Sequence, residues 1–409
     1  MNKLTFFIVD DDPISIRLLA GLLEAAGQTV HSTTDAHRAV EEILALGVDC
    51  ALVDIMMPGL DGLALCQKLR AEPALAQLKI VVVTGKQFEF DRERAYRFGV
   101  DGYLVKPVQP DRFAGQLFKI IEDRLELTYW GVRGTLPVCG TKSLHYGGNT
   151  SCVTLECARG DLLIFDAGSG IKNLSDHLLA RKRSRLEAKI FISHPHWDHI
   201  NALPYFRPLY MPGNDFEICG ASHGDITMRE LMVAQMDGVY FPIKISEFAA
   251  RVYFRNLTEE QFECNGRIGV RTLLLNHPGN CLGYRVEYHG RSVCYITDNE
   301  MYPKDSPHYN PHYIQKLADF VRETDLLITD TTYTDKEYAG RIHWGHSAIT
   351  PVVELARLAQ VKALHLFHHD PGQDDEAIAA KERTAIDLLR DASPAIACLA
   401  PREGQRFSI

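Results

Sequence analysis

The chain has 409 residues, of which 46% are hydrophobic and 24% charged, and its formal net charge is −9 at pH 7. This length exceeds what one ordinary hydrophobic core supports, so two domains are expected. The acidic balance makes DNA an unfavourable partner, because binding phosphates needs a basic face, and no apolar stretch is long enough to span a membrane. One basic run, at 181–185, is expected to be a solvated helix end.

The ten cysteines are scattered and form no C-x-x-C pair. Most of them lie in apolar, strand-like runs, which is typical of free thiols in a reducing compartment. The N-terminal stretch "MNKLTFFIVDDD" lacks the layout of a signal peptide, because its apolar part ends at once in three acids. These features predict a cytoplasmic protein.

Four apolar runs alternate with amphipathic stretches in the first 108 residues. They are "LTFFIVDDD", "DCALVDIMMPG", "KIVVVTGK" and "DGYLVKPV". This alternation predicts an α/β domain with a doubly wound parallel sheet. The runs end in polar residues at the edge where such sheets bind ligands: Asp10, Asp11, Asp54, Thr84 and Lys106.

These residue types suit phosphoryl transfer to Asp54. Three neighbouring carboxylates repel one another unless a cation joins them, and oxygen-only ligation suits Mg²⁺. Lys106 could offset the charge of the incoming phosphoryl group, and the Thr84 hydroxyl could hydrogen-bond to it.

The motifs "VDDDP", "LVDIMMPGLDG", "VVVTGK" and "DGYLVKP" resemble those of the response-regulator receiver domain of two-component signalling. The resemblance implies a (βα)5 domain over residues 1–122 that is phosphorylated on Asp54 by a sensor histidine kinase or a phosphotransfer protein. It implies that Asp10 and Asp11 bind Mg²⁺ with Asp54, and that Thr84, Tyr103 and Lys106 are the switch residues. The role of Asp12 stays open.

The segment "PDRFAGQLFKIIEDRLELTYW" is expected to close the first domain as a helix, because Phe113, Leu117, Ile120, Ile121 and Leu125 recur at helical spacing. We expect it to continue as a helical connector at 123–128. No flexible spacer follows, so the helix could transmit a rotation or a change of oligomeric state to the next domain. Formation of a homodimer would be one such change. The alternative is that it only spaces the domains.

After Trp130 the pattern changes to short strands with helices late in the chain, of which "SAITPVVELARLAQ" and "EAIAAKERTAIDLLRDA" are the clearest. Two sheets flanked by helices would satisfy this pattern.

The stretch "ISHPHWDHINALP", from Ile192 to Pro204, crowds three histidines and an aspartate into six residues. In an extended segment residues two apart point the same way, so His194 and His196 can reach one metal ion. Asp198 and His199 lie past the bend and can serve a second ion. Candidates for the remaining ligands lie downstream: His277, Asp298, and either His368 or His369. Asp298 could bridge the two ions.

The motif "HxHxDH" with these followers, together with "WGVRGTLPVCG", "YGGNTSCV" and "DAGSGI", resembles the metallo-β-lactamase superfamily, in particular its phosphodiesterase and tRNA 3′-processing branch. The resemblance covers residues 129–409 and implies an αββα sandwich with two metal ions between the sheets. It implies one site of His194, His196 and His277, a second of Asp198, His199 and His368, and Asp298 as the bridge. His368 is preferred to His369 because the last ligand of the family directly follows the final apolar strand.

Two further residues gain a role from the same resemblance. Asp166 is expected to be a buried acid that orients a ligand of the histidine loop. His346, in "HWGHS", is a candidate general acid or phosphate contact, with helix capping as the alternative. The metals are expected to be zinc, with manganese or iron as alternatives.

We therefore predict a response regulator whose output is a metal-dependent hydrolase that cleaves a small cyclic or linear phosphodiester, with Asp198 orienting the attacking water. Little more than a hairpin joins His277 and Asp298, so the arm with which tRNA-processing enzymes bind RNA is absent there. The segment 224–243 is either a lid over the substrate or a core-packing helix. Alternative outputs are an RNase Z-like nuclease, a di-iron redox or oxygen-sensing site, and a non-catalytic metal-binding module. The resemblance disfavours the di-iron site, because the redox members of the superfamily usually have glutamate at the position of His196.

Overall fold

The computed structural model of the chain describes residues 3–59, 61–157, 160–181, 185–239, 241–392 and 394–409. It forms two compact units, of which the first ends at Arg124 and the second begins at Leu125. Among the described residues, no helix is both long enough and apolar enough to cross a lipid bilayer. Residues 182–184 of the basic run lie outside the described residues.

The first unit has one parallel sheet with the strand order β2-β1-β3-β4-β5. The strands are β1 (Thr5–Val9), β2 (Thr29–Thr33), β3 (Cys50–Val53), β4 (Lys79–Thr84) and β5 (Gly102–Val105). The helices are α1 (Pro13–Ala25), α2 (Ala39–Leu46), α3 (Gly62–Ala71), α4 (Glu89–Arg97) and α5 (Pro110–Glu122).

The sheet is buried on both faces, as expected of a doubly wound domain. Phe7 and Val9 of β1 belong to one hydrophobic cluster, whereas Phe6 and Ile8 belong to the cluster on the other side. Strand β2 was not among the apolar runs, because its sequence TVHST is polar and only half-buried at the edge of the sheet. The predicted fold class of this unit is confirmed.

Helix α5 ends earlier than predicted. Its last residue is Glu122, and Asp123 follows in the left-handed conformation (φ 47°) with its N–H on the carbonyl of Lys119. Strand β6 then begins at Glu126. The prediction of a helical connector at 123–128 is therefore wrong. Leu127 and the residues that follow it are buried in a strand and do not extend the apolar face of α5.

The second unit has two sheets of seven strands each, with the orders β11-β10-β9-β8-β7-β6-β19 and β12-β13-β14-β15-β16-β17-β18. The strands are β6 (Glu126–Gly131), β7 (Cys152–Glu156), β8 (Leu162–Phe165), β9 (Glu187–Ile192), β10 (Asp215–Ala221), β11 (Arg251–Leu257), β12 (Gln261–Cys264), β13 (Ile268–Leu274), β14 (Leu282–Tyr288), β15 (Arg291–Ile296), β16 (Leu326–Asp330), β17 (Ala363–Phe367), β18 (Ala397–Leu399) and β19 (Arg406–Ser408). The helices are α6 (Ile171–Ala180), α7 (Trp197–Ile200), α8 (Met228–Gln235), α9 (Pro311–Val321), α10 (Asp335–Tyr338), α11 (Ile349–Leu358) and α12 (Asp375–Leu389).

The two sheets face each other through a layer of aromatic side chains. Ring centroids of Phe165 and Tyr295 are 5.4 Å apart, and those of Phe191 and Tyr284 are 5.2 Å apart. Helices α6 and α8 pack on the outside of the first sheet, and helices α9, α11 and α12 pack on the outside of the second. The predicted αββα sandwich is confirmed.

The segment 224–243 is divided between core and surface. Met228 and Met232 of α8 are fully buried in the core of the first sheet, so α8 is a core-packing helix and not a lid. Val239 is exposed, and Tyr240 lies outside the described residues.

Candidate functional sites

Most of the polar residues of the second unit's site follow the carboxyl ends of parallel strands. Asp166 follows β8 and His194 follows β9, which are parallel to each other. Asp298 and His368 follow β15 and β17, and Asp330 ends β16 between them. Asp166, Asp298 and His368 have positive φ angles of 59°, 31° and 61°. Such backbone strain in residues other than glycine is typical of functional sites.

A first group of ligand atoms comes from His194, His196, His277 and Asp298. The Nε2 atoms of His194 and His277 lie 2.8 and 3.2 Å from Nδ1 of His196. They lie 3.5 and 3.7 Å from Oδ2 of Asp298. These spacings suit donor atoms that share one ion bound at about 2.1 Å.

A second, fully buried group comes from Asp198, His199, Asp298 and His368. Nε2 of His199 lies 3.1 Å from Oδ2 of Asp198 and 3.2 Å from Oδ1 of Asp298. Nε2 of His368 lies 3.1 Å from each of the same two oxygens. Asp298 therefore turns Oδ2 to the first group and Oδ1 to the second, which is the arrangement of a bridging carboxylate.

The charges of the second group fit a cation. Burial opposes ionisation of Asp298, but the neighbouring His368 and His199 hold the pKa of Asp298 well below its usual range. Burial also opposes protonation of His199, yet Asp198 and Asp298 hold its pKa well above its usual value. The buried Nε2 of His199 lies close to both carboxylates but is not aligned for a hydrogen bond to either of them. A divalent ion between these atoms would supply the positive charge and accept the lone pair of Nε2.

The other ring nitrogen of each of four histidines is held by a neighbouring oxygen. Nδ1 of His277 lies 2.8 Å from the carbonyl oxygen of Gly345, and Nδ1 of His368 lies 3.0 Å from the Thr332 hydroxyl. Nδ1 of His194 lies 3.1 Å from the Ser193 hydroxyl. These contacts fix the ring orientation and leave Nε2 free to bind a metal.

Asp166 holds the fourth of these histidines. Its Oδ2 lies 2.8 Å from Nδ1 of His199, and the same oxygen accepts hydrogen bonds from the hydroxyls of Ser193 and Tyr295. Its Oδ1 accepts from the backbone N–H of Ser193 at 2.7 Å. The fully buried Asp166 thus lies where the sequence analysis expected an orienting acid.

His346 lies beside both groups. Its Nδ1 is 2.8 Å from Oδ2 of Asp330 and 3.9 Å from Oδ2 of Asp298. Burial opposes protonation, but Asp330 raises the pKa of His346 to about 9. Helix α11 has Ala348 at its N-cap and no side-chain cap, so the capping alternative is excluded for His346.

Sequence reasoning missed Asp330. The acid ends the strand "LLITD" just as Asp298 follows "CYIT" in "CYITD", and this repeated pattern could have identified it. Besides His346, Asp330 accepts hydrogen bonds from the N–H and the hydroxyl of Thr332 and from the N–H of Asn299.

His369 does not join either group of ligands. It is fully buried, and neither of its ring nitrogens has a hydrogen-bond partner within the described part of the chain. Its backbone carbonyl accepts from the N–H of Gly134.

Gly134 also leaves room for His368, since a Cβ there would lie 2.1 Å from the His368 ring. Next to it, the N–H of Thr135 donates to Oδ2 of Asp198 at 2.7 Å.

The first unit gathers its own charged residues at the carboxyl ends of β1, β3 and β5. Nζ of Lys106 lies 2.6 Å from Oδ2 of Asp10 and 2.6 Å from Oδ2 of Asp54. Burial opposes the charge of Lys106, but these two hydrogen bonds raise its pKa. Thr84 is fully buried, and the Tyr103 hydroxyl donates to the carbonyl oxygen of Lys86 at 3.1 Å.

The three consecutive acids of the first unit have different surroundings. Asp12 caps α1, because its carboxylate accepts from the N–H groups of Ile14 and Ser15, which answers the open question of its role. Asp10 is buried, whereas Asp11 is exposed. No group of three closely spaced metal-ligating atoms within the described ranges includes Asp11. Mg²⁺ keeps several waters and needs only one or two carboxylates, so Asp10 and Asp54 fit this ion.

Comparisons with known proteins agree with this division. Residues 6–117 match the family model of the response regulator receiver domain, and residues 162–369 match that of the beta-lactamase superfamily domain. The signal transduction histidine-protein kinase BarA of Escherichia coli (strain K12) is 31% identical over 116 residues, which are 28% of this chain but only 13% of BarA.

Two solved structures are similar to the second unit. The metallo-beta-lactamase fold protein YhfI from Bacillus subtilis is 16% identical, with a TM-score of 0.49, over 70% of this chain and 100% of YhfI. The short form of human tRNase Z is 21% identical, with a TM-score of 0.48, over 69% of this chain and 99% of that protein.

A fold whose strand ends carry two groups of residues that could each hold a metal ion thus coincides with a family match over half of the sequence. The chain belongs to the beta-lactamase superfamily, and it carries a response regulator receiver domain at its N-terminal end.

Proposed function

We propose that this protein is a response regulator whose second unit hydrolyses a small phosphodiester with the help of two divalent metal ions. In this proposal His194, His196 and His277 hold one ion, Asp198, His199 and His368 hold the other, and Asp298 joins them. The observation that carries the proposal is the carboxylate of Asp298, whose two oxygens face two separate groups of histidine nitrogens. When bound, two such ions activate water near neutral pH and stabilise negative charge on a phosphoryl oxygen.

The chain's own residues supply the remaining functions. The Asp198 carboxylate accepts a hydrogen bond from the attacking water and orients it. The proton of His346 on Nδ1 is held by Asp330 at 2.8 Å, which leaves the proton on Nε2 for the leaving oxygen. Asp330 raises the pKa of His346, which favours the protonated form that a general acid requires.

A small substrate is favoured over a folded RNA. Between His277 and Asp298 the chain forms only the hairpin of β14 and β15, with His289 and Gly290 at its turn. The net charge of −9 adds no general attraction for a polyanion. Cyclic and linear dinucleotides, cyclic mononucleotides and related diesters are therefore the substrate classes to test.

Regulation starts at Asp54 in this proposal. A sensor histidine kinase or a phosphotransfer protein phosphorylates Asp54, with Mg²⁺ held by Asp10, Asp11 and Asp54 and with Lys106 beside the phosphoryl group. The added charge biases a two-state element, which changes the hydrolytic rate or the oligomeric state of the chain. Residues 123–125 are all that separates α5 from β6, so the connection between the units has little slack.

The decisive experiment is a substrate screen with protein of known metal content. Purified full-length chain, loaded in turn with zinc, manganese and iron, is incubated with dinucleotides, cyclic mononucleotides and aryl phosphodiesters. We expect hydrolysis of at least one diester by the wild type and its loss in His196→Ala and Asp298→Asn. Phosphorylation by a small-molecule phosphodonor should change the rate or the size of the wild type but not of Asp54→Asn.

Adding tRNA precursors to this screen, and recording a spectrum of protein purified without oxygen, separates the rival functions. Hydrolysis of tRNA precursors but of no small diester would indicate an RNase Z-like nuclease. A di-iron spectrum in protein purified without oxygen, without hydrolysis, would indicate a redox or oxygen-sensing output. Bound metal with no turnover and no redox change would indicate a binding module, and each of these results would overturn the proposal.

A further inference from the structure

Two of the three tryptophans of the chain are exposed next to the metal ligands. Trp197, between His196 and Asp198, is 82% exposed, and Trp344, two residues before His346, is 62% exposed. The third, Trp130, is buried. Large exposed indoles close to a polar site are typical of surfaces that bind a ligand.

Both exposed tryptophans lie on loops that contact the first ligand group. The second ligand group is buried, whereas His196 of the first group is exposed. The loop of Trp197 reaches His277 through His196, whose Nδ1 is 3.2 Å from Nε2 of His277. The loop of Trp344 reaches the same histidine through the carbonyl oxygen of Gly345. The two loops that carry these indoles therefore meet at His277, in the ligand group that includes the exposed His196.

Arg341 is a cation without an acidic partner beside Trp344. Its guanidinium carbon lies 4.8 Å from the ring centroid of Tyr333 and 6.0 Å from that of Trp344. Within the described ranges, no carboxylate forms an ion pair with Arg341. The Tyr333 ring also packs on His346, with their centroids 5.9 Å apart. A single aromatic ring thus separates the free guanidinium from the candidate general acid.

The loop that carries Arg341 and Trp344 is rigidly held. The N–H of Trp344 donates to the carbonyl of Arg341. The buried carboxylate of Glu300 accepts from the N–H groups of His343 and Gly345 at 2.7 and 2.9 Å, and from the Tyr338 hydroxyl at 2.7 Å. His343 is kept in the left-handed conformation, with φ 72°. An exposed indole on a loop that is fixed on both sides loses little entropy when a ligand stacks on it.

We propose that Arg341 and Trp344 form a recognition subsite for a nucleotide substrate that carries a second phosphate. The guanidinium binds the phosphate that is not cleaved, because its planar fork matches phosphate oxygens, and the indole stacks on the base. The proposal rests on the proposed function and narrows its substrate class to dinucleotides, cyclic or linear. Cyclic mononucleotides and aryl diesters lack the second phosphate and would bind without help from Arg341.

Equilibrium binding by calorimetry tests this subsite without turnover. The zinc-loaded full-length wild type is titrated with adenosine 3′,5′-bisphosphate and with adenosine 5′-monophosphate, neither of which contains a diester bond. We expect the bisphosphate to bind at least about tenfold more tightly. Arg341→Gln should abolish this preference, and Arg341→Lys should retain part of it.

The matched control is Arg357→Gln. Arg357 is an exposed arginine of α11 that, like Arg341, has no ion pair within the described chain. It should retain the full preference for the bisphosphate. Trp344→Leu should weaken the binding of both nucleotides about tenfold, and Trp344→Phe should restore most of it, because base stacking needs an aromatic face.

The subsite is refuted if the wild type binds the two nucleotides equally, or if Arg341→Gln and Arg357→Gln behave alike. This result is distinguishable from a failure of the proposed function. A wild type that prefers the bisphosphate but hydrolyses no diester would leave the subsite standing and remove the hydrolase. A wild type that hydrolyses diesters but binds the two nucleotides equally would support the hydrolase and refute the subsite.

Discussion

Oδ2 of Asp330 lies 2.8 Å from Nδ1 of His346, and Asp330 is fully buried at the end of β16. The imidazole is thereby fixed in orientation with one proton on the side of the acid. Asp330 is a positioning residue in this arrangement, since it acts on the substrate only through His346.

The pair predicts strongly non-additive kinetics. His346→Gln and Asp330→Asn should each lower kcat about 100-fold with little change in KM, because general acid catalysis is worth roughly this factor or more. The double variant should be no slower than His346→Gln alone, since the two residues act as a unit. Rates of the three variants are compared at equal metal content, and independent effects that multiply would show that Asp330 acts elsewhere.

Gly134 predicts a selective loss of metal. A Cβ at this position would lie 2.1 Å from the His368 ring, so Gly134→Ala should displace His368 and weaken the second ligand group while leaving the first intact. Metal analysis should find about one ion per chain where the wild type holds two. Gly238→Ala is the control, because nothing lies within 4 Å of a Cβ at that glycine. Unchanged metal content in Gly134→Ala would show that His368 is not a ligand.

The sequence predicted the sites best where a polar residue directly follows an apolar strand. Asp54, Asp298 and His368 were identified in this way, because strand ends meet at one edge of a parallel sheet. Asp330 was overlooked although it occupies the same kind of position, since it is not part of the ligand pattern that identified Asp298. Glu300, which holds the loop around Trp344, was overlooked because its role depends on backbone N–H groups about forty residues away in sequence.

The fold was predictable in class but not in every element. Polar or half-exposed strands such as β2 and β11 lack the apolar runs by which the others were found. The helix α5 was predicted too long because Leu125 continues its apolar spacing. The left-handed conformation of Asp123 ends the helix, and an aspartate, which tolerates this conformation better than most residues, is only a weak signal for it. The contact of His346 with Asp330 joins separate parts of the chain, and no local pattern specifies such a distance.

Substitution of two acids of the first unit, Asp54 and Asp12, should have opposite effects on phosphorylation. Asp54→Asn should abolish the mass increase that a small-molecule phosphodonor and Mg²⁺ cause in the wild type. Asp12→Asn should be phosphorylated normally, because asparagine also caps helices and Asp12 caps α1. Intact-protein mass spectrometry distinguishes the two variants, and a phosphorylated Asp54→Asn protein would place the acceptor on another residue.

Lys381 predicts a pH-dependent stability of the second unit. The residue is fully buried, and its Nζ donates to the carbonyl oxygens of Thr331 and Thr332 at 2.6 and 3.2 Å. Burial lowers the pKa of Lys381 from its ordinary 10.5 to about 7, against the opposing effect of Glu337 and Asp330. Between these pH values the unfolded chain binds a proton that the folded chain has released, so the contribution of Lys381 to stability rises with pH.

Substitution isolates this contribution. The free energy of unfolding of the wild type minus that of Lys381→Met should increase by about 2 kcal/mol in total between pH 7 and 9. Urea unfolding followed by tryptophan fluorescence reports on the second unit alone, because Trp130, Trp197 and Trp344 all lie there. The exposed Lys336 provides the control Lys336→Met, for which the difference should not vary with pH. If the difference in unfolding free energy between the wild type and Lys381→Met also does not vary with pH, Lys381 stays charged in the folded protein. Its hydrogen bonds to the carbonyl oxygens of Thr331 and Thr332 would then offset the cost of burying the charge.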